Sequence, residues 1–176
     1  MLMKTENFII TVFAQDQPGI LQTLSDAIKE NDGNWLESSL TQINGFFVGI
    51  LNIEIAQEKK TKLFKALDSL AEKGLDITVR PDVKLVNDSE LGETVELLVE
   101  ANDRPGIVEE IANALTTVDA NIEQMETFCE SASMAGYQLF QAHLVVALPT
   151  SFSVDQLEDA LQNVSDDLIV SIIESE

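Results

Sequence analysis

The sequence predicts an α+β protein made of two copies of one unit, each an antiparallel sheet with two helices on one face. Three observations predict it. Asp16-Gln17-Pro18-Gly19-Ile20 returns as Asp103-Arg104-Pro105-Gly106-Ile107, 87 positions later. The surroundings return too: Val12, Ala14, Ala27, Asp32 and Asn34 meet Val99, Ala101, Ala114, Asp119 and Asn121 at the same offset. The apolar period also switches in the same order in both copies, giving strand, helix, strand, strand, helix, strand.

In the first copy Phe8, Ile10, Val12 and Ala14 alternate along a strand with one face inward. The turn follows, and then Ile20, Leu21, Leu24, Ala27 and Ile28 form the buried stripe of a helix that ends near Asn31-Asp32-Gly33. A second strand begins at Asn34, and "GFFVGILNIEIA" makes a third. Leu63, Phe64, Leu67, Leu70 and Ala71 mark the second helix, and "LDITVRPDVKL" closes the unit as a strand. The polar segment "VKLVNDSELGET" separates the copies, so the expected boundaries are 1–86, a linker at 87–92, and 93–176.

The second copy opens on Val95, Leu97, Val99 and Ala101, and its helix carries Ile107, Val108, Ile111, Ala114 and Leu115. Phe47, Gly49, Leu51, Ile53 and Ile55 align with Phe140, Ala142, Leu144, Val146 and Leu148 at an offset of 93. The second copy therefore has a six-residue insertion around "CESASMAG", within 129–138. Val154, Leu157, Ala160, Leu161 and Val164 stripe the last helix, Ser153 and Gln156 form a capping box at its start, and "DLIVSII" is the closing strand. This is the split βαβ, or ferredoxin-like, order written twice. It leaves one sheet face bare of helices. In the first copy that face carries Ile9 and Phe13, too apolar to stay wet, so it is expected to be covered by the other domain or another subunit.

Composition bounds the function. Hydrophobic residues make up 45% and charged residues 23%, the profile of a globular chain. No apolar run approaches the roughly 18 residues that span a bilayer, and the N-terminus makes a poor signal peptide. The single cysteine, Cys129, forbids an internal disulfide and fits a reducing compartment, so a cytoplasmic location is expected. The net charge is −21, with 9 basic and 13 acidic residues in 1–88 against 1 and 18 in 89–176, or −4 and −17. Such a surface repels a phosphate backbone, and direct nucleic-acid binding is not expected.

The repeated turn has two readings. In the first, the unpaired amides and dipole of the helix start take a carboxylate, Asp16 or Asp103 takes the ammonium of the same molecule, and Asn34 or Asn121 completes the contacts. That is the chemistry of a free amino acid. In the second, Asp only caps the helix, Pro fits its first turn, and Gly lets another group approach closely. Elsewhere His143 is the sole histidine, so neither a His-His metal site nor an ordinary catalytic triad can be built within one chain. It falls opposite the core face, in register with Ile50. Cys129 reads as a quiet thiol, Asp166-Asp167 as a solvated pair, Trp35 as interface packing, and Met125 and Met134 as core or loop residues. No Gly-rich phosphate loop is present.

A first strand running into Asp-Arg-Pro-Gly-Ile, with Asn about fifteen residues on at the next strand, resembles the ACT domain. Two such domains, with an insertion before the third strand of the second, are similar to the tandem-ACT regulators of the glycine cleavage system. The resemblance implies a repressor without enzymatic activity or cofactor, with ligand at Asp16, Gln17, Pro18, Gly19, Ile20 and Asn34 and at Asp103, Arg104, Pro105, Gly106, Ile107 and Asn121. It implies glycine as effector, a LysR-type activator as protein partner, and a homo-oligomer. Gln17 departs from the family's usual arginine, which makes the corner with Arg104 the better expected site. ACT-like pairs also resemble regulatory parts of metabolic enzymes, which carry a separate catalytic domain. The alternative expectation is accordingly a regulatory or dimerisation module of an enzyme complex, without a ligand of its own.

Overall fold

A computed structural model describes residues 4–82, 91–131 and 138–173. The chain divides into two compact units, Met1–Val86 and Asn87–Glu176. The first contains β1 (Thr5–Gln15), α1 (Ile20–Lys29), β2 (Asn34–Ile43), β3 (Phe46–Ala56), α2 (Lys60–Ser69), a 3-10 turn at Leu70–Lys73, and β4 (Leu75–Pro81). The second contains β5 (Leu91–Asn102), α3 (Ile107–Thr117), β6 (Asn121–Ser131), β7 (Gln138–Pro149), α4 (Val154–Gln162) and β8 (Ile169–Ile173). Each unit is one four-stranded antiparallel sheet, ordered β2-β3-β1-β4 and β6-β7-β5-β8. The predicted α+β class and the doubled βαββαβ order are what the structure has.

The pairing register repeats as well. Val12 faces Gly49 as Val99 faces Ala142, and Ala14 faces Phe47 as Ala101 faces Phe140, which reproduces both offsets. Each second strand bulges at the same place, between Trp35 and Glu37 and between Ile122 and Gln124. α1 and α3 end alike. The Gly33 and Ala120 amides donate to Ile28 and Leu115 carbonyls, with Asp32 and Asp119 left-handed at φ 61° and 51°. That closure satisfies the last helical carbonyls and turns the chain into the next strand.

One face of each sheet is buried under its helices. Ile10, Leu24, Leu51 and Leu67 are fully buried in the first unit, as are Leu97, Ile111, Leu144 and Leu157 in the second. Each such side chain contributes roughly 1.5–3 kcal/mol of transfer free energy. Several residues depart from the sequence reading. Leu21 and Val108 are 49% and 46% exposed, because on the first turn the core takes Ile20 and Ile107, and these next positions lie about 100° around the axis from them. Ala71 is exposed where α2 tightens into the 3-10 turn. Trp35 packs against its own unit's core, as Met125 does in the second. β4 ends at Pro81, and β5 begins at Leu91, so residues 91–92 of the expected linker are strand. Residues 87–90, the end of the predicted closing strand at 83–85, and Met134 lie outside the described residues, as does most of the expected insertion.

The predicted capping box is present at α4. The Gln156 amide donates to Ser153 Oγ at 3.3 Å, and the Ser153 amide donates to Gln156 Oε1 at 2.9 Å. Ser153→Ala is expected to lower the second unit's unfolding free energy by about 1 kcal/mol. Urea denaturation reads it, and an unchanged midpoint would contradict the assignment.

Candidate functional site

Both repeated corners are built the same way. β1 runs out at Gln15, and the Asp16 amide donates to the Gly45 carbonyl at 2.8 Å, which ties the corner to the β2–β3 hairpin. In the second unit the Asp103 amide donates to the Gln138 carbonyl at 2.8 Å. The helices start not at Asp but at Gly19 and Gly106, both left-handed at φ 93°. Their carbonyls accept the first helical bonds, from the Thr23 and Glu110 amides at 2.9 and 3.0 Å.

These facts correct both parts of the capping reading. Neither helix start receives a side-chain cap, so Asp16 and Asp103 do not cap. Pro18 and Pro105 sit in the turn before the N-cap and not in the first helical turn. A Cβ on either glycine would meet nothing within 4 Å, so the residue is required by its left-handed backbone and not by close approach within the chain. What remains at each corner is an uncapped, solvent-facing helix start beside an exposed carboxylate. Helix-start amides with a free dipole end attract anions.

Not every expected residue belongs there. The Ile20 and Ile107 side chains are buried in the two cores. Asn34 and Asn121 lie at the far end of the sheet. Asn34 pairs with Glu54, which pairs with Asn7, eight residues before Gln15 and roughly 26 Å along the strand. Asn121 is placed alike, through Ala147 and Thr94. Asn34 and Asp16 of one chain therefore do not share a site. Conversely, the exposed Leu21 and Val108 stand on the first turn of each helix, next to the corner, and give it an apolar flank that the helical pattern concealed.

The two corners differ in charge. Arg104 Nη2 donates to Glu110 Oε2 at 2.6 Å, and Asp167 lies close enough to feel the guanidinium. The Asp167 carboxylate accepts from the Ser165 hydroxyl and from the Asn102 amide at 3.1 Å. Those hydrogen bonds, with the Arg104 charge, hold its pKa below the usual 3.8. Because the folded value is depressed, this lock persists at neutral pH and is lost only as pH falls through that range. Asp167 is therefore a structural anchor and not a solvated acid. Arg104 Nη1 is buried with no hydrogen-bond partner. Around Asp103, limited desolvation and the carboxylate itself push the Cys129 thiol upward, which fits an inert cysteine. By register, Arg104, Glu110 and Asp167 correspond to Gln17, Thr23 and Gly74 in the first unit. At these positions the first corner thus keeps one carboxylate and, among the described residues, no ion pair, while the second carries three carboxylates around one arginine.

Among the described residues no group of three or more His, Cys, Asp or Glu side chains could hold a metal ion. Among these same residues no helix is long and apolar enough to cross a membrane.

Residues 6–80 match the family model for the ACT domain. A search of curated proteins finds no match. Two solved structures span essentially the whole chain. A protein from Galdieria sulphuraria is 28% identical, with a TM-score of 0.82 over 98% of this chain and all of its own. A second protein, provisionally named a glycine cleavage system transcriptional repressor, is 18% identical, with a TM-score of 0.70 over 97% of this chain and 99% of its own; that likeness shows the fold. The ACT match thus falls within the first unit, and the second unit repeats that unit's strand order and pairing.

Proposed function

We propose that this protein is a non-enzymatic regulator that senses a small amino acid at the Asp16 corner. The observation carrying this reading is the uncapped helix start at Gly19, set beside a carboxylate that no ion pair engages among the described residues of the first unit. The amides of the first turn would receive the ligand's carboxylate, Asp16 its ammonium, and Leu21 would flank the small side chain. Asp103 faces a different balance. Three carboxylates around Arg104 make its surroundings net negative and oppose a ligand carboxylate, so Arg104 braces the second unit where the sequence favoured it as the sensor. The ligand we assign is glycine or another small amino acid. The regulated process is the glycine cleavage system, repressed through a LysR-type activator and not through DNA, in a homo-oligomer in the cytoplasm. The −21 charge supports a protein partner over a nucleic acid. A ligand shifts such a regulator only by binding one of its states better than another.

The braced second corner favours a second reading for that half alone: a regulatory or dimerisation module without a ligand. Thermal unfolding with each amino acid in turn tests the proposal. At about a hundred times its dissociation constant, a ligand adds roughly 2.7 kcal/mol of stability. A raised transition for glycine or a near neighbour is expected, and no shift with any amino acid would defeat the sensor reading.

A further inference from the structure

The same sheet face is written in two ways within one chain. On the outer face of the first sheet, Phe13 and Val48 are cross-strand partners; the equivalent pair in the second sheet is Glu100 and Gln141, joined by a hydrogen bond of 2.7 Å. Ile9 and Ile43 correspond to Glu96 and Glu130. The second unit folds with glutamates at these positions, so the fold does not require them apolar. The apolar set must serve something outside the first unit's own core.

Its shape says what. At the hairpin end Phe13 and Phe46 stack at 5.0 Å while remaining 47% and 41% exposed, and they stand as a paired aromatic knob. Four residues back along β1, roughly 13 Å away, a groove of about 270 Å³ opens beside the β2 bulge, lined by Ile9, Ser39, Ile50 and Asn52, with the exposed Glu37 beside Asn52 at the bulge. Asn52 Oδ1 is buried there with no hydrogen-bond partner, and its equivalent in the second unit is Val145. Knob and groove on one face form a self-complementary surface. A two-fold axis lying in the plane of the face, across the strands at Thr11, sets each copy's knob over the other's groove, as an isologous dimer demands. The hydroxyls of Thr11, Ser39 and Thr41 are donors on that face which a facing copy could offer to Asn52.

Charge selects the same occupant. The outer face of the second sheet sets Glu96, Glu100, Glu126 and Glu130 among Phe128, Ile169 and Ile173, and pressing those four carboxylates onto the apolar knob and groove would strand them away from water. Pairing two first units instead brings together surfaces from the halves of charge −4 and not from the halves of −17. We propose that two copies of this chain associate face to face through the first sheet, Phe13 and Phe46 of each filling the groove of the other. This gives the homo-oligomer of the proposed function, on which it builds, a defined interface.

Sedimentation velocity of the full chain from 1 to 200 µM, concentrations chosen as about the range of ordinary dimers, reads it. Wild type should be dimeric, and Phe13→Glu and Ile9→Glu should each weaken association about 100-fold or more, since both change the same contact from opposite sides. Glu100→Ala, on the equivalent second face, should leave it unchanged. Phe13 is surface-exposed, so the variant should keep its circular dichroism; if it does not, Phe13→Ser replaces it. A monomeric wild type, a Phe13→Glu dimer of unaltered affinity, or dissociation by Glu100→Ala would each overturn the interface. A monomeric wild type that Phe13→Glu destabilises would show the face to be covered within the chain. Amino-acid titration of the Phe13→Glu monomer separates the two proposals: a retained thermal shift leaves the sensor standing whatever becomes of the interface.

Discussion

Leu24→Ala is expected to remove about 3–4 kcal/mol from the stability of the first unit and to leave the second unit's transition in place. Leu24 is fully buried midway along α1, on the line from Ile20 to Ile28, in the cluster that holds Ile10, Leu51 and Leu67. Truncation loses the transfer free energy of the isobutyl group and leaves a cavity under a sheet that cannot collapse to fill it. A unit of this size has only about 5–12 kcal/mol in hand, so the loss is a large fraction of it. The two cores are separate clusters, which is why the effect should stay local. Calorimetry should show one lowered transition and one near its wild-type position. A shift below about 1 kcal/mol, or equal loss of both transitions, would contradict this account of the cores.

Asp16→Ala is expected to abolish the amino-acid response while leaving unliganded stability within about 0.5 kcal/mol of wild type. The second half follows from geometry: the carboxylate is exposed and caps nothing, so its removal orphans no helical amide. The first half follows from the proposed role of Asp16, the acid beside the open helix start, as the partner of the ligand's ammonium. The full increment of roughly 2.7 kcal/mol at saturating ligand should vanish. Asp103→Ala should leave the response standing. If Asp16→Ala instead destabilised the protein equally with and without ligand, Asp16 would be structural; if only Asp103→Ala removed the response, the assignment of the corners would be reversed.

Much of the fold was legible because it is local and repeated. The alternation through Phe8, Ile10, Val12 and Ala14 and its echo at Val95, Leu97, Val99 and Ala101 needed no long-range information. The Ser153–Gln156 box spans four residues and was equally visible. What was misread depends on helix phase or on distant partners. Leu21 counts as apolar in any stripe, and only the packing of Ile20 and Leu24 shows that it falls outside. The turn reads as an Asp cap because Asp is a favoured N-cap. Only the backbone at Gly19, in the left-handed region, moves the cap three residues on. Arg104 made the second corner the better expected site because its partners are not adjacent in sequence: Glu110 lies six residues on and Asp167 lies 63 residues away. Asn34 recurs at a fixed spacing from the turn, and spacing along the chain carried no hint that α1 returns it to the opposite end of the sheet.

The central claim is that the first corner holds a free amino acid. Isothermal titration of glycine, alanine and serine into the full-length protein tests it most directly. The account predicts saturable binding of at least one of them at one site per chain, absent from Asp16→Ala and retained in Asp103→Ala. Saturable binding that survives Asp16→Ala, or no binding by any small amino acid to a folded protein, would contradict it.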